Sequence, residues 1–176
     1  MPQAVSHRAV FLVGFMGAGK TSVGRSLSRR LAWSFEDLDD RIQAKAGHSV
    51  AEIFRDSGEA EFRRQENAAL RELLTELGGG QRVVALGGGA FAQPENIALL
   101  ESSRARVIFL DGAAEELFRR CEQDQQQRPL LQDAEQFREL YEQRRPAYLK
   151  ASGRIDTTGK DADEVAAEVA CWIGLE

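Results

Sequence analysis

The sequence predicts an α/β protein of three layers, with a five-stranded parallel sheet between helices. Three observations carry that expectation. Five short strand-like runs alternate with helical patterns along the chain, which implies a parallel sheet covered on both faces. The first run, Val10 to Val13, leads directly into Gly14-Phe-Met-Gly17-Ala-Gly19-Lys20-Thr21, a G-x-x-x-x-G-K-T sequence, and a helical pattern follows at once. Three of the runs end in polar or glycine-rich residues, at Gly14, Asp37 and Gly87-Gly88-Gly89. A parallel sheet delivers those ends to one edge, where open α/β sheets bind their ligands.

The elements follow in order. Arg8–Val13 reads as the first strand and Gly14 to Lys20 as a loop whose backbone N–H groups can turn around a phosphate chain. Lys20 can reach the β- and γ-phosphates, and the Thr21 hydroxyl can ligate Mg²⁺. Val23, Leu27 and Leu31 recur at i, i+4 and i+8, the stripe of a helix whose positive end adds to the same phosphate site. Trp33–Asp37 is the second strand, and if its extended backbone persists, Asp37 and Asp39 face the phosphate edge together. One carboxylate there can hold Mg²⁺ through water and the other can accept a proton from an attacking hydroxyl. An equally good reading makes Asp39 or Asp40 the cap of a helix starting near Arg41.

Arg63 and Glu66 are three apart on a helical pattern. That spacing suits a surface ion pair, and equally an arginine aimed at a carboxylate ligand with Glu66 fixing its direction. Leu70, Leu73, Leu74 and Leu77 continue the helix, and Gly78-Gly-Gly80 stops it. Arg82–Leu86 is the third strand, after which Gly87-Gly88-Gly89 lets the backbone approach a ligand closely. Arg106–Leu110 is the fourth strand. Cys121–Asp133 is polar, without an apolar face, and reads as a flap outside the core. Arg144-Arg145-Pro146 lies on or at the end of a helix, since proline disfavours continuation, and either arginine could pair with Glu139 or Glu142. Arg154–Thr157 is the last strand. Val165, Val169, Trp172 and Ile173 form the apolar face of a closing helix, which puts Trp172 in the core.

Composition narrows the classes. At 176 residues, with 43% hydrophobic and 29% charged residues, the chain fits one soluble domain spanning 1–176. A net charge of −5 disfavours nucleic-acid binding. Cys121 and Cys171 lack metal-ligand spacing and are too few for a disulfide framework. His7 and His48 stand apart from other ligand types. No signal-peptide core or transmembrane run is present, so the expected location is cytoplasmic, with no membrane partner.

Taken together, these motifs resemble the shikimate kinase family over nearly the full length. The matching elements are Gly14-x-x-Gly-x-Gly-Lys-Thr21, Asp37-x-Asp39, Gly58-Glu-x-x-Phe-Arg63, Gly87-Gly-Gly89, Arg128-Pro-Leu-Leu131 and Arg144-x-Pro-x-Tyr148. The resemblance implies a P-loop kinase fold of the nucleoside-monophosphate-kinase type, with a substrate-binding subdomain near 38–66 and a lid near 121–133. It implies transfer of the ATP γ-phosphate to the 3-hydroxyl of shikimate, on the route to chorismate and aromatic amino acids, by a monomer using Mg²⁺. Gly17, Ala18, Gly19, Lys20, Thr21, Ser22 and Arg128 would then hold ATP. Thr21, and Asp37 through water, would serve the metal. Asp39, Arg63, Gly87, Gly88, Gly89 and Arg144 would hold shikimate, with Lys20, Asp39 and Arg128 carrying the chemistry. The chain departs from the family where another arginine often precedes the lid arginine by seven residues. Cys121 stands there, with Arg120 one residue back, so the adenine contact stays open.

The competing small-molecule kinases act on gluconate or a nucleoside monophosphate. Asp37-x-Asp39 and the two carboxylate-binding arginines argue against them. A non-catalytic nucleotide sensor would have lost Lys20, Asp39 or Arg128, and a GTPase would carry an N-K-x-D sequence that is absent.

Overall fold

The computed structural model describes residues 9–123 and 133–175. Arg8 at one end, and residues 124–132 with Arg128 and most of the expected lid, lie outside the described residues. The sheet has five parallel strands: β1 (Ala9–Val13), β2 (Ser34–Asp37), β3 (Arg82–Ala85), β4 (Arg106–Asp111) and β5 (Gly153–Asp156). Their order is β2-β3-β1-β4-β5, so β1 lies in the middle. Phe11 of β1 stands opposite Val84 on one side and Val107 on the other. Every residue of β1 is buried, and so are all of β3 and β4 after their first residues. Successive side chains point to opposite faces, so burial without alternation means that helices cover both.

Those helices are α1 (Lys20–Leu31), α2 (Leu38–Ala46), α3 (Val50–Glu76), α4 (Pro94–Ser102), α5 (Ala114–Gln123), α6 (Ala134–Tyr148) and α7 (Ala162–Trp172). Helix α1 packs on α7, α3 on α2 and α4, and α5 on α6. Local sequence starts several of them. Ser49 and Glu52 form a reciprocal capping box at α3, and Asp161 and Glu164 do the same at α7. At Gly58 the backbone turns to φ 83 and ψ 170, a conformation that L side chains rarely adopt. This kink divides α3 and lets the stretch after it, with Phe62, Arg63 and Glu66, take its own direction.

Three expectations need correcting. Helix α2 begins at Leu38 rather than near Arg41, so the extended backbone ends at Asp37. Helix α5 runs through Cys121 to Gln123, so the start of the expected flap is helical. As the sequence allows, Pro146 sits on a helix near its end, inside α6, which continues to Tyr148. Near the helix end a missing N–H donor removes a single backbone bond, and here the side chains on either side of it are well anchored. Trp172 is 44% exposed and lies over Gly153 of the edge strand β5, outside the core that Val165, Val169 and Ile173 enter.

Candidate active site

Two loops meet at the carboxyl edge of the central strands. The first follows β1. At Gly17 the backbone takes φ 79, and a Cβ there would overlap the Leu117 carbonyl of α5 and come within 3.1 Å of Cys121 Sγ. Glycine at this position is needed both for conformation and for space. Lys20, the first residue of α1, donates from Nζ to the carbonyls of Gly14 at 2.7 Å and Phe15 at 3.1 Å. The Gly19 N-cap offers no side-chain acceptor to the first turn, so the N–H groups of the helix end remain available to an anion. Thr21 Oγ1 donates to Asp37 Oδ2 at 3.1 Å, and Asp37 Oδ1 accepts from the Asp39 N–H at 2.9 Å. The helix cap is thus Asp37, not Asp39 or Asp40. One residue both starts α2 and sets a carboxylate beside the Thr21 hydroxyl.

The second loop is Gly87-Gly88-Gly89 after β3. Each glycine gives its missing side-chain space to a different charged group. A Cβ on Gly87 would lie 2.9 Å from Asp39 Oδ1, and one on Gly88 would lie 3.6 Å from Arg144 Nη1. A Cβ on Gly89 would come within 2.9 Å of the Arg63 guanidinium carbon and overlap its Nη2. Gly88 also lies next to the phosphate loop, with Gly14 O at 3.8 Å and Met16 N at 3.9 Å from its Cβ position. Asp39, Arg63 and Arg144 therefore gather over one glycine floor that abuts the expected triphosphate site. Strand order alone places Asp39 and the three glycines at one edge, and the structure brings Arg63 and Arg144 to within a few ångströms of the same loop.

The arginines are held from behind. Arg63 donates from Nη1 to Glu66 Oε1 at 2.8 Å. Its Nε makes no hydrogen bond among the described residues and stands 3.6 Å from Glu59 Oε1. Glu66 is fully buried. Burial pushes its carboxyl up from the ordinary value, and the Arg63 guanidinium pulls it part of the way back. The side chain of Asn96, also buried, donates to the Ala90 carbonyl at 3.0 Å and approaches Glu66 Oε1 at 3.5 Å, tying the glycine loop to α3. Neither Asn96 nor its role is signalled in the sequence.

Arg144 lies with its guanidinium carbon 5.6 Å from the centre of the Phe15 ring, a cation–π contact with a phosphate-loop residue. Phe15 is fully buried, stacked on Tyr141 at 5.2 Å and met edge-on by Phe137 at 4.8 Å. Tyr148 donates its hydroxyl to the Gly88 carbonyl. Arg145 turns to Asp111, 2.9 Å away, and not to Glu139 or Glu142. Arg120 donates to the Gly17 carbonyl at 3.3 Å and to the Thr157 carbonyl at 3.1 Å, so of the two residues left open for an adenine contact both stand beside Gly17.

The chain has two tyrosines, and both lie here. Burial first, and for Tyr141 also the Asp111 carboxylate, pushes each phenol up to about 12. An unfolded tyrosine ionises near pH 10, so between the two values the unfolded chain releases protons that the folded chain keeps. These phenols therefore make stability fall as pH rises from about 10 towards 12, and they leave it unchanged below. We expect an ultraviolet titration of the folded protein to show little phenolate at pH ~10.5, and about three-quarters ionisation at that pH after denaturation in urea. Ordinary titration of either tyrosine in the folded protein would contradict the burial described.

Comparison with known proteins places the chain in a family. The family model described as Shikimate kinase matches residues 16–173. A shikimate kinase of Geobacter sulfurreducens is 42% identical over 169 residues, covering 94% of this chain and 91% of its own. Among solved structures, shikimate kinase from Acinetobacter baumannii in complex with shikimate superposes with a TM-score of 0.85 at 36% identity, covering 94% of this chain and 92% of that one. A gluconokinase from Sinorhizobium meliloti superposes at 0.58 with 15% identity over 94% of this chain and 90% of its own, a likeness of fold alone.

Proposed function

The chain belongs to the shikimate kinase family, and we propose that the glycine floor and phosphate loop just described are where it transfers the γ-phosphate of ATP to the 3-hydroxyl of shikimate. The products are shikimate 3-phosphate and ADP. The observation that most supports this placement is the convergence of Asp39, Arg63 and Arg144 on Gly87, Gly88 and Gly89, beside Gly14 and Met16. Two guanidinium groups on one carboxylate give direction as well as attraction, because their donor forks match its geometry. The unused Arg63 Nε is a donor of the right kind for that carboxylate.

In this reading Gly17 to Ser22 cradle the triphosphate, with Lys20 leaving its loop carbonyls for the phosphate oxygens. The Thr21 hydroxyl and Asp37 carboxylate form a hard-oxygen pair, and no cluster of three or more acidic, histidine or cysteine ligands occurs among the described residues. That donor set suits Mg²⁺, which commonly takes one or two carboxylates with phosphates and water. Bound there, Mg²⁺ would neutralise charge on the phosphate oxygens. Asp39 holds the acceptor hydroxyl and takes its proton. Arg128 lies outside the described residues, and its role in covering the transferring phosphate rests on the family motif. The lid that the family motif implies near 121–133 would keep water from competing as acceptor. The substrate-binding subdomain, 38–66, contributes Asp39 and Arg63. Among the described residues no helix is long and apolar enough to cross a membrane. Action as a cytoplasmic monomer without nucleic-acid or membrane partners completes the proposal.

An ADP-release assay with shikimate, quinate, gluconate and AMP as acceptors tests it. We expect efficient turnover with shikimate, and turnover of gluconate or AMP in its place would overturn the assignment. An analogue without the carboxylate leaves two buried-side guanidinium groups unpaired, so rejection by a factor of about 10⁴ is expected.

A further inference from the structure

We infer that Asp111 is a positioning residue for acceptor binding: it fixes α6, and through it Arg144, over the glycine floor. This inference rests on the functional reading above. Asp111 closes β4, one residue beyond the strand that the sequence suggests, and is 4% exposed. Its carboxylate accepts from the Tyr141 hydroxyl on Oδ1, from Arg145 Nη2 at 2.9 Å on Oδ2 and from the Gly112 N–H at 2.9 Å. Arg154 Nε of β5 stands 2.8 Å from the same Oδ2. Burial alone would raise this carboxyl, but the hydrogen bonds from Arg145, Tyr141 and Gly112 hold it below its ordinary range, so it stays ionised.

Two lines lead from Asp111 to Arg144. The first runs through the helix. Tyr141, Arg144, Arg145 and Tyr148 are spaced three, one and three apart and so share one face of α6. Three of those four are anchored: Tyr141 to Asp111 and to the Gly112 carbonyl at 3.0 Å, Arg145 to Asp111, and Tyr148 to the Gly88 carbonyl. The fourth, Arg144, makes no ion pair with a carboxylate among the described residues and faces Gly88. The second line runs through rings. Asp111 holds the Tyr141 hydroxyl, the Tyr141 ring stacks on Phe15, and the Phe15 face carries the Arg144 guanidinium. Removing the Asp111 charge loosens both supports at once, while Lys20, Thr21 and Asp37 keep contacts that do not involve α6.

Steady-state kinetics of Asp111→Asn and Tyr141→Phe, with ATP and shikimate varied separately, test the inference. Asp111→Asn should raise the shikimate KM about tenfold, the effect of one weakened charged hydrogen bond. The ATP KM should stay within about twofold. Tyr141→Phe removes one hydroxyl and keeps the ring; it should shift the shikimate KM in the same direction by a smaller factor. It carries the test if the Asn variant does not fold. An unchanged shikimate KM in folded variants, or an equal rise in both KM values, would overturn the positioning role. Failure of the parent protein to phosphorylate shikimate would instead bring down the functional reading, and this inference with it.

Discussion

A Lys20→Met variant is expected to lose phosphoryl transfer by at least about a thousandfold, the upper range for removing one fixed charge-stabilising donor. Met has nearly the length and volume of the lysine stem, so packing at the start of α1 changes little. What disappears is the ammonium group, which here rests on the Gly14 and Phe15 carbonyls at 2.7 and 3.1 Å, poised at the mouth of the phosphate loop. In the transition state charge spreads over the equatorial phosphoryl oxygens, and a positioned cation matters more there than in the ground state. The loss should therefore fall mainly on kcat, with a melting temperature close to that of the parent. Single-turnover rates and a thermal melt check this, and turnover near the parent rate would remove Lys20 from the mechanism.

The second large effect is expected from Asp39→Asn, with kcat reduced about a hundredfold, the lower bound for a lost general base. The lower bound is the right choice because a loose, metaphosphate-like transition state asks little of the base until the new bond is well formed. Asparagine fills the same space against Gly87, where Asp39 Oδ1 sits 2.9 Å from the position of a Cβ. It cannot accept a proton. The ATP KM should hold steady, since the carboxylate beside Thr21 is Asp37, which has its own contacts with Thr21 and the α2 N-terminus. An Asn variant of full activity would show that water or phosphate takes the proton.

Much of this arrangement could be read from the chain. All five strands fall within a residue or two of their expected ends, because buried parallel strands are short apolar runs and their boundaries are glycine or charge. The site was legible where spacing is fixed by backbone geometry, as in the phosphate loop. It was less legible where three-dimensional approach decides the role. Asp37 and Asp39 are both acids near the end of a strand, and only the start of α2 at Leu38 makes Asp37 the cap and leaves Asp39 over Gly87. Asp111 lies one residue beyond the apolar run that ends at Leu110, and an acid at the carboxyl end of an interior strand is the only signal the sequence offers for it. Trp172 was expected inside on periodicity, but periodicity cannot tell a core face from the space left open by a glycine on an edge strand, here Gly153. Asn96 and the ring of Phe15 carry no local mark at all.

The stretch from Gly87 to Gly89 leaves little freedom for drift. A methyl added at either end would take up room now filled by an acid or a guanidinium, at 2.9 Å from Asp39 Oδ1 and 2.9 Å from the Arg63 guanidinium carbon. Any descendant enzyme choosing a new acceptor must first rewrite the walls, on α2, α3 and α6, before its base can change.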